Sequence, residues 1–162
     1  MNEDKSKLIR FLNQQYLCAS LTVAEVETLL NYTELVEFKK NEVIADIGAV
    51  GEALYFVVKG EAALLYEDVN REIEVGRMRE GELMGVMSFF DREPRSLRMR
   101  ATSSETHLLR LTRPMYLRLR VEHPYIAVNL LEHAIISLDG LVRRVSEDEA
   151  VLARYIYGSG KK

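Results

Sequence analysis

The chain has 162 residues, 48% hydrophobic and 29% charged, with 9 glycines and 3 prolines, a composition that fits one globular domain with a sizeable core and leaves no room for a separate catalytic domain. Net charge is −3, but residues 1–91 hold 9 Lys and Arg against 17 Asp and Glu, while residues 92–120 hold 8 arginines against 2 acidic residues, so the positive charge is local and carried by the side chain suited to phosphate or carboxylate. The lone Cys18 excludes an internal disulfide and a cysteine-rich metal site, and the longest apolar run, Ala53–Val58, is 6 residues against the roughly 20 of a bilayer span, which predicts a cytoplasmic protein without a membrane segment.

Residues 5–17 place Leu8, Phe11, Leu12 and Gln15 at helical spacing. Leu21, Thr22 and Glu25 then read as an apolar residue, an N-cap and a capping box, predicting a helix over about 23–31 with Val23, Val26, Leu29 and Leu30 inward. From Leu35 the period changes. Short runs of Val, Ile, Phe, Tyr and Leu between turn glycines predict strands at Leu35–Phe38, Glu42–Ala45, Ala53–Val58, Glu61–Tyr66, Arg71–Met78, Ser96–Thr102 and Thr106–Leu111. No segment between them reads as a crossover helix, so an antiparallel sandwich or barrel of about eight strands is expected. Met78, Met84, Met87 and Met99 alternate with apolar neighbours and read as packing.

After Thr112 the helical period returns. Pro114 suits the start of a short helix filled by Met115, Leu117, Leu119 and Val121 and ended by His123-Pro124. A longer helix follows over about Tyr125–Val145. Its broad stripe, which includes Leu130, Leu131, Ala134, Leu138 and Leu141, is wide enough for the strands and a second copy of the chain, so a homodimer through this helix is expected. Ser146-Glu147-Asp148-Glu149 reads as a capping box opening a terminal helix to about Tyr157.

One constellation carries chemistry. A glycine-led turn followed by a short helical turn offers backbone N–H groups to an anion, and an arginine 10 residues later can neutralise it; Gly85 and Arg95 have that spacing, with Pro94 fixing the approach and Ser96 adding a donor. His107, His123 and His133 are too scattered for a metal site, and no Ser-His-Asp elbow or Walker loop occurs. An enzyme is not expected.

The segments FKKNEVIADIGAVGEALYFVVKGEAAL (Phe38–Leu64) and GELMGVMSFFDREPRSLRMRATS (Gly81–Ser103) resemble the cyclic nucleotide-binding domain, the family of the catabolite activator proteins and the regulatory subunit of cAMP-dependent kinase, over roughly residues 20–145. The resemblance implies a mainly β domain with flanking helices, an antiparallel double-stranded β-helix or jelly-roll-like β-roll. Helices would occupy 1–34, the roll 35–111 with a phosphate-binding cassette at about 81–96, and further helices 112–162. It implies a regulatory module of signal transduction in which Gly85, Val86, Met87, Ser88, Arg95 and Ser96 hold cAMP, another cyclic nucleotide or another phosphorylated small molecule, and occupancy is relayed to the helices after Thr112.

The chain departs from the pattern at one place. Where the family has Gly-Glu, with the glutamate accepting a hydrogen bond from the ribose 2′-hydroxyl, this sequence has Gly85-Val86. An unpaired buried hydroxyl costs roughly 1–3 kcal/mol, so weakened nucleotide binding is expected. The alternative is a degenerate domain acting as a dimerisation or protein-docking module without nucleotide. Direct DNA binding is not expected, because the 17 residues after Val145 reach about 25 Å as helix and cannot supply a helix-turn-helix. The arginines of 92–120 are expected on strands around the pocket, and the protein partner is left open.

Overall fold

The computed structural model describes residues 3–146. Two helices, α1 (Glu3–Gln14) and α2 (Val23–Asn31), flank a 3-10 turn at Tyr16–Cys18. The single helix predicted over 5–17 is therefore divided, because i to i+3 bonds from Gln15 N–H to the Leu12 carbonyl and from Cys18 N–H to the Gln15 carbonyl, both 3.0 Å, tighten the chain. The capping box forms as read: Glu25 N–H donates to Thr22 Oγ1 at 3.2 Å, and Thr22 N–H donates to Glu25 Oε1 at 2.9 Å.

Eight strands follow: β1 (Glu34–Lys39), β2 (Val43–Ala45), β3 (Ala53–Lys59), β4 (Ala62–Asp68), β5 (Arg71–Met78), β6 (Leu83–Met84), β7 (Arg98–Ala101) and β8 (Glu105–Thr112). They form two four-stranded sheets, ordered β1-β8-β3-β6 and β2-β7-β4-β5, with every pairing antiparallel. This is the expected roll of about eight strands; β6 is the one without a predicted run, since a two-residue strand has no period to read.

Strand β8 shows how the core divides. Leu109 and Leu111 join the cluster that also holds Leu54, Phe56 and the helices, whereas Leu108 joins Val57, Leu64, Met84 and Met99 in a second cluster. Successive side chains point to opposite faces, so a strand buried on both faces shows no polar alternation.

The helices α3 (Val86–Asp91), α4 (Arg113–Glu122) and α5 (Pro124–Ser146) complete the described chain. In α4 the buried side chains are Tyr116 and Leu119; Leu117 and Val121, read from sequence as filling the helix, are 43% and 77% exposed. Positions three apart share a helix face and positions two apart do not. In α5, Ile126, Ala127, Leu130 and Ala134 are buried against the first sheet's cluster. Much of the stripe assigned to a second copy is thus spent on this chain, and the exposed apolar residues among the described side chains of α5 are Tyr125, Val128, Ile135 and Ile136. The terminal helix read after Ser146 lies outside the described residues. Cys18 is free and buried, and burial pushes its thiol up to about 12, so it is a packed apolar group at neutral pH.

His133 of α5 gives the fold a pH dependence. It is buried beside Phe56, with ring centroids 6.4 Å apart. Burial holds its imidazole below the ordinary 6.5, and the Gly81 backbone and the Glu82 charge oppose that only in part. The unfolded chain therefore binds a proton at a pH where the folded chain does not. The stability that goes with a neutral His133 is complete above the ordinary value and is lost as the pH falls below it. Urea midpoints at about pH 7 and about pH 5 should differ more for the native sequence than for His133→Leu; equal differences would remove His133 from the acid response.

Candidate ligand-binding site

Strand β6 ends at Met84, and Gly85 caps α3 with φ of +81°, the left-handed region that L side chains avoid. The glycine is needed a second time, for space. A Cβ at Gly85 would lie 3.2 Å from both terminal nitrogens of Arg95 and 3.3 Å from the Ala53 carbonyl. Arg95 itself is fixed through its backbone: its carbonyl accepts from Gly48 N–H and its N–H donates to the Ala49 carbonyl, both at 2.8 Å, next to a bridge between Val50 and Pro94. Arg95 and Ser96 therefore sit ahead of β7, in a segment pinned to the β2–β3 loop, and the strand predicted over Ser96–Thr102 does not include Ser96.

All six candidate residues, Gly85, Val86, Met87, Ser88, Arg95 and Ser96, line one cavity of about 670 Å³ including its open mouth. The far wall comes from Leu64, Met78, Leu97 and Met99, and α5 adds Ser137 and Leu138. Met78, Met84 and Met99 pack in the second core cluster as read, Met78 and Met99 also form part of the cavity wall, and Met87, read as packing, is an exposed wall residue. Of the polar residues on α5, Ser137 lines the cavity, while Asn129 donates to Ser20 Oγ at 2.6 Å, on the N-terminal side of the molecule.

Charge separates Arg95 from the other arginines. Arg98 pairs with Asp46 at 2.7 Å, Glu72 at 2.7 Å and Glu67 at 3.0 Å, Arg100 with Glu72 at 2.5 Å, and Arg110 with Glu34 at 2.7 Å. Arg98, Arg100 and Arg110, expected around the pocket, are thus held in ion pairs, and among the described residues Arg95 is the cation that lines it. Carboxylate partners raise the basicity of Arg98 and Arg110. Half-buried Arg95 moves the other way: desolvation lowers its pKa, with Tyr55 opposing. Among the described residues no carboxylate pairs with it. A desolvated cation beside a cavity is complemented by an anion.

Two residues that the spacing argument missed knit the site to its surroundings. Gly51 N–H donates to Ser88 Oγ at 2.7 Å, and that hydroxyl donates to the Glu93 carbonyl at 2.6 Å, so the buried Ser88 hydroxyl is committed to the loop. The Gly51 carbonyl accepts from Arg113 at 2.7 Å; Arg113 also donates to the Phe89 carbonyl and lies 4.4 Å over the Phe89 ring. Phe89 stacks edge-on against Tyr116 of α4 at 5.4 Å. Among the described residues no three His, Cys, Asp or Glu are placed to hold a metal ion, and no helix is long and apolar enough to cross a membrane.

This geometry has known counterparts. The family described as Cyclic nucleotide-binding domain matches residues 35–123, from β1 through α4. The cyclic AMP receptor protein of Thermus thermophilus is 33% identical over 111 residues, 68% of this chain and 51% of that protein. A cGMP-dependent protein kinase of Eimeria tenella is 27% identical over 113 residues, 70% of this chain and 11% of the kinase. The chain thus spans about half the length, or less, of these curated relatives. The crystal structure of the Thermus thermophilus catabolite activator protein superposes with a TM-score of 0.66 at 31% identity, covering 85% of this chain and 62% of that one. With the two-sheet roll, the Gly85 turn and Arg95 all inside the matched segment, the chain belongs to the cyclic nucleotide-binding domain family.

Proposed function

We propose that the chain is a non-enzymatic regulatory module that takes up a small anionic ligand, a cyclic nucleotide or a related oxyanion, and passes occupancy to α4 and α5. The observation that carries the reading is Arg95, half-buried at the cavity wall with no carboxylate partner among the described residues. Nucleotide affinity is weakened, because Val86, 6% exposed in the wall, offers no acceptor to a ribose hydroxyl. At roughly 1–3 kcal/mol for the orphaned group, that is about one to two powers of ten in Kd.

A short route supports the relay. The guanidinium of Arg95 rests against Gly51, whose carbonyl is held by Arg113 at the first position of α4. An anion that draws Arg95 inward loosens or re-seats that contact. Calorimetric titration with cAMP, cGMP and simple phosphate esters, read together with amide exchange of α4, tests the reading. Weak binding that protects both Gly85–Ser88 and the start of α4 is expected. A folded chain that takes up no anion would leave the docking-module reading, which Val86 favours.

Pairing of two copies through α5 belongs to the same proposal, moved to the face that the roll leaves uncovered. Tyr125, Val128 and Ile135 lie within one helical stripe, and Ile135 is 67% exposed. Sedimentation should show a dimer broken by Ile135→Asp with the fold retained; a monomer for the native sequence at tens of micromolar ends the idea.

A further inference from the structure

We infer that the cavity selects a singly charged oxyanion carried on an apolar, hydroxyl-free body, such as an aryl carboxylate or a diaryl phosphate, over any ribonucleotide. The inference rests on the sensor reading above and narrows its ligand.

Its first ground is the wall. Leu64, Met78, Leu83, Val86, Leu97 and Met99 face the space beside Arg95. These are aliphatic and thioether groups, and methionines adapt to rings of different outline.

Its second ground is the supply of polar partners. Of the described lining side chains other than Arg95 that can bond a hydroxyl or a base edge, Ser88 has its hydroxyl committed to Gly51 and Glu93. Asp91, Glu93 and Ser96 are exposed and belong to the rim; Ser137 of α5 is the half-buried one. A ribose and a base would bring several donors and acceptors into this space and leave most of them unpaired. Each one costs about 5- to 150-fold in affinity. An apolar body brings none.

Its third ground is charge. One guanidinium can form a bidentate pair with one carboxylate or phosphate group, and Asp91 and Glu93 at the rim disfavour a second negative charge. A monoanion matches this balance.

The comparison of diphenyl phosphate with cAMP isolates the body, since both are phosphodiester monoanions, and 2-naphthoate tests a carboxylate head. In calorimetric titration of the full chain, diphenyl phosphate and 2-naphthoate should each bind at least about tenfold more tightly than cAMP, one hydroxyl's worth. Both should be lost in Arg95→Gln. In Val86→Glu the preference should shrink or invert toward cAMP; the ratio measured on the native sequence decides even where that variant does not fold. Tighter binding of cAMP than of either apolar anion, dependent on Arg95, would overturn the inference and leave the sensor reading standing. Apolar-anion binding indifferent to Arg95→Gln would overturn it as well. A folded protein that binds none of the three would end both readings together.

Discussion

Replacing Arg95 with alanine will abolish anion binding and leave the fold standing. The two halves of that result have separate causes. In the protein itself the guanidinium bonds no described carboxylate and is partly desolvated, so its removal orphans no buried acceptor and relieves a burial cost. Melting should be unchanged or slightly raised. For the ligand the change removes the one cation among the described residues that lines the cavity. Hydrogen bonds to a charged group contribute about 1.5–3 kcal/mol each, so loss of a bidentate pair weakens binding by at least about two powers of ten. Arg95→Lys should fall between, because an ammonium supplies the charge without the planar fork. Arg98→Ala is the control: its partners Asp46, Glu67 and Glu72 lie outside the lining residues, and affinity should hold. Calorimetry and thermal melting on the three variants check the scheme. Undiminished binding in Arg95→Ala would mean that the anion sits elsewhere.

The elements legible in the sequence were those whose signal is local. Thr22 and Glu25 specify a helix start within four residues, and β5 runs over Arg71–Met78 as its apolar spacing indicates. Gly85 and Arg95 were legible as a pair because a turn glycine and a cation at fixed spacing are a local pattern with a chemical meaning. Strand β6 was not, since it gains its status only from pairing with Tyr55 and Phe56. The far wall was hidden for a different reason. Met78 and Met99 alternate as any inward-facing strand residues do, and period alone cannot tell a side chain that meets another side chain from one that meets a cavity. That Arg98, expected beside the pocket, would turn to carboxylates instead was equally closed to reading, because it depends on where Asp46, Glu67 and Glu72 arrive from other strands. Gly51 was invisible as a site residue: its partners Ser88 and Arg113 lie 37 and 62 positions along the chain.

Gly51→Ala should damage stability and signalling together. The added Cβ would stand 2.7 Å from Phe89 N, 2.9 Å from Ser88 C and 2.9 Å from a terminal nitrogen of Arg95. Two of these are backbone atoms of α3, which cannot swing aside as a side-chain tip can, so the helix or the loop must shift. Overpacking of this kind costs typically about 1–3 kcal/mol, and at this chain length each kcal/mol lowers Tm by about 2–4 °C. The displacement falls on Ser88, on Arg95 and on the carbonyl that holds Arg113, so affinity and ligand-induced protection of α4 should drop with the melting temperature. Arg113→Lys separates the two effects. Arg113 does not line the cavity, but its guanidinium joins the Gly51 and Phe89 carbonyls to the start of α4, and an ammonium cannot reproduce that clasp while stacking on Phe89. In amide exchange the ligand should still protect Gly85–Ser88 in this variant while α4 loses its response, with affinity changed only by the coupling, which is reciprocal between the two sites. Undiminished protection of α4 in Arg113→Lys would place the relay on another route, and native melting in Gly51→Ala would show that the loop absorbs the methyl without moving α3.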